Sequence, residues 1–209
     1  MSDLQTMRAR IADYINRSDL NTQIDLEINR AIEHYAKKNR FWFNETTGTF
    51  NTVSGQLIYT SSDSIPSIIR EIDFVKIALV ATTNNIELTE KSYEWIQHQV
   101  VNTSSTGTPA HYAYYKENFY IYPIPGAVYT ITVSYVKGYA ALTAAQSNDF
   151  TTNAEDLIEA RAMRMVYDFL LKNEKMADRC AIKEAEELVN LQGETQRLIA
   201  TGKVNPTSF

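Results

Sequence analysis

The stretch ENFYIYPIPGAVYTITVSYVKGY, residues 117–139, carries the clearest structural pattern in the sequence. Before the Pro-Ile-Pro-Gly break at residues 123–126, Phe and Ile alternate with Tyr; after it, large side chains alternate with Thr and Ser. A period of two residues is typical of β-strands, and a Pro/Gly break between two such runs is typical of a turn. The stretch therefore predicts two antiparallel strands joined as a hairpin.

The sequence around this hairpin has the same character over about ninety residues. From Thr46 to Tyr139 the chain is rich in Thr, Ser, Tyr, Ile and Val, as β-strands favour, with turn residues between the runs. IREIDFVKIALV at 69–80 predicts a longer strand, and KSYEWIQHQVV at 91–101 a short helix. We predict an antiparallel β domain over 46–139 that contains one short helix.

Both ends of the chain have a helical pattern instead. Apolar residues recur at three- and four-residue steps over 2–17 and up to about Arg40, and again from about 152 to 173 and from 175 to 201. In the third helix the predicted buried face includes Phe169 and Leu170. In the last helix it consists of Ala177, Ala181, Ala185, Leu188, Leu191, Thr195 and Leu198.

The predicted fold class is therefore α+β. We predict a helical bundle built from 1–45 and 140–201, with the β domain of 46–139 inserted between its halves. Residues 202–209 form a polar C-terminal tail.

The bulk composition indicates a soluble globular protein, with 209 residues, 44% hydrophobic and 22% charged residues. A net charge of −5 does not favour non-specific binding of nucleic acid. The single cysteine, Cys180, excludes an intramolecular disulfide, and its alanine neighbours predict a small core residue. We expect no signal peptide and no membrane span, because no continuous apolar stretch is long enough.

Residues capable of catalysis or metal binding are few and scattered. The sequence has no nucleotide-binding or zinc-protease motif, and His34, His98 and His111 fall on three different segments. Glu71, Asp73 and Glu117 are the available carboxylates for an enzyme such as a peptidoglycan hydrolase, but a solvated face is the favoured interpretation. We predict no enzymatic activity, no metal and no cofactor.

The aromatic residues allow three interpretations. Thirteen tyrosines favour a core filled by aromatic rings, a protein–protein interface, or, with less support, a surface that stacks on sugars or bases. The last interpretation suggests a receptor- or carbohydrate-binding module that uses rings such as Trp95 and Tyr115. For an interface, the face of the predicted hairpin expected to pack on a neighbouring subunit carries Tyr120, Tyr122, Thr130 and Thr132.

The order of segments resembles a known family. A helical hairpin ends in FWFNETTGTFNT at 41–52, SGQLIYTSSDSIPSIIREIDFVKI follows at 54–77, then GTPAHYAYYKENFYIYPIPGAVYTITVSYVKGY at 107–139, and an acidic helical hairpin opens with NAEDLIEARAMRMVYDFLL at 153–171. This order resembles the head-to-tail adaptor, connector or neck proteins of tailed bacteriophages.

The resemblance implies a structural role in the virion neck, for a protein made in the cytoplasm of the bacterial host. Such adaptors form a ring, commonly of twelve subunits, that docks on the portal protein, extends the DNA channel without binding DNA specifically, and gives the tail or its nozzle protein a platform. It also implies that the C-terminal tail contacts the portal. The portal-binding residues would be Lys203, Val204, Asn205, Pro206, Thr207, Ser208 and Phe209.

Overall fold

The computed structural model describes residues 2–66, 68–78, 85–102 and 105–199. It divides into two compact units: one combines Met1–Asn44 with the part of the chain that begins at Tyr139, and the other spans Glu45–Gly138. Helices occupy both ends of the chain and strands its middle, so the predicted α+β class is confirmed.

The described residues form six α-helices and ten strands. The helices are α1 (Leu4–Ile15), α2 (Asn21–Lys38), α3 (Tyr93–Asn102), α4 (Asp149–Asn153), α5 (Glu155–Met165) and α6 (Glu174–Ile199). The strands are β1 (Glu45–Asn51), β2 (Ile58–Tyr59), β3 (Ile69–Ala78), β4 (Asn85–Glu87), β5 (Thr89–Glu90), β6 (Thr106–Gly107), β7 (His111–Tyr115), β8 (Asn118–Tyr122), β9 (Ile124–Pro125) and β10 (Thr130–Lys137). Over these residues no helix has the length and apolar content needed to cross a membrane.

In the helical unit, α5 is the central element. It packs against α1, α2 and α6, and its apolar face contributes Leu157, Ile158, Ala162 and Met163 to one core shared with the other helices. The helix before it, α4, begins at a side-chain cap: Asn148 accepts hydrogen bonds from the backbone N–H groups of Phe150 and Thr151. Such a cap satisfies donors that the first turn of a helix leaves without partners.

Phe150 is the centre of an aromatic cluster in this unit. Its side chain has no exposed surface. Its ring makes edge-to-face contacts with Phe43, Tyr139 and Phe41 at centroid distances of 5.2, 5.0 and 6.1 Å. These contacts tie the segment after α2 and the segment before α4 into the same core.

The β unit contains two four-stranded sheets. One has the order β1-β10-β3-β4 and is antiparallel, and the other has the order β2-β8-β7-β5, in which the short β5–β7 pair is parallel. Phe50, Val75, Ile131 and Val133 from the first sheet share one apolar core with residues such as Phe119 of the second. A third, two-stranded parallel pair joins β6 to β9.

The hairpin predicted across residues 117–139 is wrong. Both strands form, but β8 pairs with β7 and β2, whereas β10 lies between β1 and β3 in the other sheet. The intervening Ile124–Pro125 pairs with Thr106–Gly107. Proline has no N–H to donate to a strand partner, so the Pro-rich segment between the strands makes a poor hairpin turn. It instead carries the chain from one sheet to the other.

The turn predicted at Lys116–Asn118 is present. Tyr115 pairs with Asn118, so β7 and β8 form a hairpin with a two-residue loop. Lys116 and Glu117 have φ angles of 48° and 63°. Two positive φ angles are typical of the type I′ turn, whose twist matches that of the flanking strands.

Replacing Phe150 with Ala should lower the free energy of unfolding by about 3–5 kcal/mol, because it removes a fully buried ring and leaves a cavity among Phe41, Phe43 and Tyr139. The matched control is Phe169→Ala, since Phe169 is 62% exposed and its loss should change stability by less than about 0.5 kcal/mol. Chemical denaturation measures both values. Equal effects would show that the aromatic cluster does not hold the unit together.

Candidate interaction surfaces

The three candidate catalytic carboxylates do not come together in a cleft. Glu71 and Asp73 are exposed residues of β3, and Glu117 is exposed in the β7–β8 turn, which belongs to the other sheet. A pair of catalytic carboxylates needs an environment that separates their pKa values. Glu71 and Asp73 share one strand, whereas Glu117 lies on the other sheet of the β unit.

The three histidines lie in separate environments. The Nδ1 atom of His34, on α2, is 3.1 Å from Arg161 Nη2, His98 contacts Asn102 on α3, and the ring of His111, on β7, packs edge-on to Trp95. Among the described residues, no group of three His, Cys, Asp or Glu side chains is placed to hold a metal ion.

Cys180 is a core residue, as predicted. Its side chain is buried on α6 beside the helical core. Burial raises the pKa of its thiol, and the nearby Glu184 carboxylate raises it further, against the opposing effect of Lys183. The thiol therefore stays protonated and weakly nucleophilic.

A buried ion-pair cluster connects three helices of the helical unit. Glu184, on α6, is 6% exposed. Its Oε1 atom accepts hydrogen bonds from the Tyr35 hydroxyl on α2 and from Arg161 Nη1 on α5, both at 2.6 Å. Its Oε2 atom accepts a third bond from Arg164 Nη1 at 3.0 Å. One carboxylate thus has partners on both neighbouring helices.

The ionised form of Glu184 is the stable one in this setting. Burial alone would raise the pKa of its carboxyl group, but hydrogen bonds from Tyr35, Arg164 and Arg161 outweigh burial and lower the pKa below its usual value of 4.5. Sequence analysis missed this cluster, because Glu184 lies among charged residues of a helix that was expected to bury alanines and leucines. Its position seven residues after Ala177 and seven residues before Leu191, in line with two predicted core residues, was the available clue.

The expected subunit contact through Tyr120 and Tyr122 needs correction. Both side chains are only 8% exposed, because α3 covers this face of β8. Tyr93 of α3 packs edge-on to Tyr120, and Trp95 packs edge-on to Tyr122, at 4.9 and 6.0 Å. The opposite face of β8 is also buried, in the core between the sheets. These tyrosines fill the interior and are not accessible to a neighbouring subunit.

Thr130 and Thr132 lie on β10, in the other sheet from the two tyrosines. Thr130 is exposed, with its hydroxyl donating to Asn51 Oδ1, and Thr132 is half-buried. The alternation predicted for this strand is present, since Ile131 and Val133 are buried. The accessible part of the predicted interface therefore consists of the two threonines alone.

The helical unit exposes apolar side chains that were expected to be buried. A π-helix over Val166–Leu170 follows α5, closed by a hydrogen bond from Leu171 N–H to Val166 C=O at 3.0 Å. The wider π turn shifts the following side chains relative to an α-helix. Phe169 and Leu170, predicted to face the core, are 62% and 44% exposed.

The buried face predicted for α6 is correct in part. Ala177, Leu191 and Thr195 are buried, but Ala185 is exposed and Leu198 is 57% exposed. Ile182 and Val189, on the side away from the core, are 62% and 66% exposed. Glu184 and Cys180 take the buried positions instead. Together with Phe169 and Leu170 of the π-helix, Ile182 and Val189 are exposed apolar residues of the helical unit.

The predicted portal-binding residues, Lys203 to Phe209, lie outside the described residues. Their assignment rests on the sequence alone.

Comparison with known proteins identifies the chain's relatives. The family model described as SU10 adaptor protein matches residues 2–204. This match spans both helical ends and the whole β unit. No curated protein matches the sequence.

Glu184→Gln should lower the free energy of unfolding at pH 7 by about 3 kcal/mol, because it leaves two guanidinium groups uncompensated. The folded-state pKa of Glu184 is lowered, so its stabilisation is complete above the usual value of 4.5 and is lost as pH falls through the folded-state value. The difference between wild type and variant should therefore shrink below pH 4.5.

The control is Glu186→Gln, which removes an exposed carboxylate two residues away on the same helix. Urea denaturation between pH 3 and pH 7 measures all three proteins. If the difference in free energy of unfolding between wild type and Glu184→Gln does not change with pH, the ionised form of Glu184 is not what stabilises the fold.

Proposed function

The chain belongs to the SU10 adaptor protein family, and on that premise we propose that it is the head-to-tail adaptor of a tailed bacteriophage. A phage adaptor is a structural protein of the virion. We place this one in the neck between capsid and tail, without catalytic activity, after synthesis in the host cytoplasm. The observation that carries the proposal is the family match over nearly the entire chain.

The proposed adaptor assembles as a ring, of twelve subunits by analogy, beneath the portal protein. A ring of identical subunits requires a head-to-tail contact between two different surfaces of neighbouring copies. The exposed Phe169 and Leu170 of the π-helix supply apolar area for such a contact. On the β unit, Thr130 and Thr132 remain candidates for the neighbouring surface, now without the buried tyrosines.

The ring extends the DNA channel, and DNA passes through it without specific binding. The charge of the chain supports this part of the proposal. Lys and Arg contacts to phosphates supply most of the affinity of proteins for duplex DNA, and this chain carries a net charge of −5. An acidic protein allows DNA to move past without being retained.

Two protein partners follow from the proposed position. The portal binds the C-terminal tail at Lys203, Val204, Asn205, Pro206, Thr207, Ser208 and Phe209, where two apolar residues and a proline can anchor a short segment. The tail, or its nozzle protein, attaches to the far side of the ring. No metal or cofactor takes part in either contact.

Deleting residues 203–209 should weaken co-assembly with the portal, because it removes the apolar anchors Val204 and Phe209. Native mass spectrometry measures how much ring forms on the portal. The portal is mixed with wild type, with the deletion variant, or with a variant that carries a Gly/Ser tail of equal length. We expect wild type to form the ring on the portal and both variants to lose it. Unchanged binding by the deletion variant would refute the tail contact, and absence of a wild-type ring on the portal would refute the proposed function.

The purified chain should not retain duplex DNA of random sequence at a salt concentration of about 0.15 M. Its net negative charge opposes the counterion release that drives non-specific binding. Fluorescence anisotropy with a labelled duplex measures the affinity, with a basic DNA-binding protein as positive control. A Kd below about 1 µM would contradict passive passage of DNA, since that exceeds usual non-specific affinity.

A further inference from the structure

A cavity of about 470 Å³ lies at one edge of the β unit, and we call it the edge pocket. Its wall includes Asp73 and Phe74 of β3, Glu87 of β4, Glu90 of β5 and Tyr112 of β7. β4 and β5 are the outermost strands of the two four-stranded sheets, so the edge pocket lies where the edges of both sheets meet. Its volume is within the range of about 300–1,000 Å³ that is typical of pockets for small ligands.

A β-bulge in β3 shapes one wall of the edge pocket. The register of β3 with β10 shifts at Asp73, because Ile72 and Phe74 face consecutive residues of β10. Neighbouring residues of a regular strand point to opposite faces, whereas Asp73 and Phe74 are both exposed. A bulge commonly redirects a side chain in this way. The backbone thus presents a carboxylate and an aromatic ring to the same cavity.

The edge pocket is negatively charged. Asp73, Glu87 and Glu90 contribute three carboxylates, and among the described residues no Lys or Arg lines the wall. Lys76 is opposite Glu87 in the register of β3 with β4, but its Nζ atom lies over the Phe74 ring, 5.7 Å from the centroid. Within the part of the chain that the structure describes, neither Glu87 nor Glu90 is in an ion pair.

A buried hydroxyl lies beside these carboxylates. Tyr112 is 3% exposed, and its side chain packs in the core between the sheets and lines the edge pocket. Its hydroxyl makes no hydrogen bond to the residues that the structure describes. Burial raises the pKa of this hydroxyl, and the carboxylates of Glu90 and Glu87 raise it further, to about 12. Buried hydroxyls usually have a hydrogen-bond partner, and next to two carboxylates a positively charged donor is the most favourable one.

The chemistry of the wall suits a guanidinium group better than a metal ion. Among the described residues, no group of three His, Cys, Asp or Glu side chains is placed to hold a metal. A guanidinium group is planar and donates up to five hydrogen bonds in its plane, while its face stacks on aromatic rings. Glu87, Glu90 and Tyr112 supply acceptors for such donors, and Phe74 supplies a ring. The compact ammonium group of lysine matches this combination less well.

We propose that the edge pocket binds the guanidinium group of an arginine side chain presented by a partner protein. The carboxylates of Glu87 and Glu90 and the hydroxyl oxygen of Tyr112 accept its N–H groups, and Phe74 packs against its plane. A protein source fits the position, because an edge strand is where a second chain can approach a sheet. The site lies entirely within the β unit, and its chemistry does not rest on the proposed function.

Titration of the full chain with N-acetyl-arginine amide, followed by nuclear magnetic resonance, tests the site. We expect a Kd of about 1–10 mM, as for one weakly held side chain, with chemical-shift changes centred on Glu87, Glu90 and Tyr112. N-acetyl-citrulline amide has nearly the same shape without the charge and should bind at least about tenfold more weakly. N-acetyl-lysine amide keeps the charge without the planar group and should also bind more weakly.

Two variants locate the binding. Glu90→Gln removes a charge and Tyr112→Phe removes the hydroxyl alone, and each should raise the Kd for N-acetyl-arginine amide about threefold to fivefold. The matched control is Glu117→Gln, which removes an exposed carboxylate in the β7–β8 turn and should leave the Kd unchanged. Circular dichroism checks folding, and because Glu90 is exposed, Glu90→Gln tests the site even if Tyr112→Phe lowers stability.

A capped Gly-Gly-Arg-Gly-Gly peptide tests whether the edge pocket accepts an arginine within a chain, and it should bind at least as tightly as the amide. Equal binding of the arginine and citrulline amides, or no binding at all, refutes a cation site. Equal binding of the lysine amide refutes the guanidinium assignment. A Kd that neither variant changes places the binding elsewhere. A peptide that fails to bind where the amide succeeds assigns the edge pocket to a free small cation and refutes the partner protein.

Discussion

The carboxylate of Glu184 is buried in the middle of α6 and needs partners. That requirement constrains how α2, α5 and α6 pack together. Glu184 receives hydrogen bonds from Tyr35 of α2 and from Arg161 and Arg164 of α5. An unpaired charge at this depth would be costly, so the rotation of α6 that points Glu184 inward is tolerated only because these partners meet it. That rotation also decides which residues of α6 face outward, including Ile182 and Val189. The buried cluster and the exposed apolar side chains of α6 therefore have a common cause.

The two faces of α6 differ, since the inner face packs in the bundle and the outer face is exposed. The inner face holds the bundle through the ion-pair cluster and through small apolar residues such as Ala177 and Cys180. The outer face and the π-helix expose apolar side chains that the unit does not use itself. For an adaptor protein, whose work is to contact other virion proteins, such exposed area is expected.

In the β unit, aromatic residues stabilise the interior. β8 is buried on both faces: Phe119 and Ile121 fill the core between the sheets, while Tyr120 and Tyr122 are covered by α3. A tyrosine cluster can indicate a stacking surface for sugars or bases, but most rings of this cluster are already packed against each other. The structure thus favours the interpretation in which tyrosines fill a small β core.

The sequence by itself determined the α+β class, the positions of the long helices, the alternating strands and the family resemblance, because these depend on local periodicity and on segment order. Tertiary structure decided the rest. Alternation shows that residues 118–122 and 130–137 are strands, but not which strands they pair with, since partners are chosen by long-range packing. Helical spacing shows that α6 is amphipathic, yet Ala185 and Glu184 exchanged their expected environments. The reason is that the location of Tyr35, Arg161 and Arg164, on two other helices, makes burial of that one charge favourable.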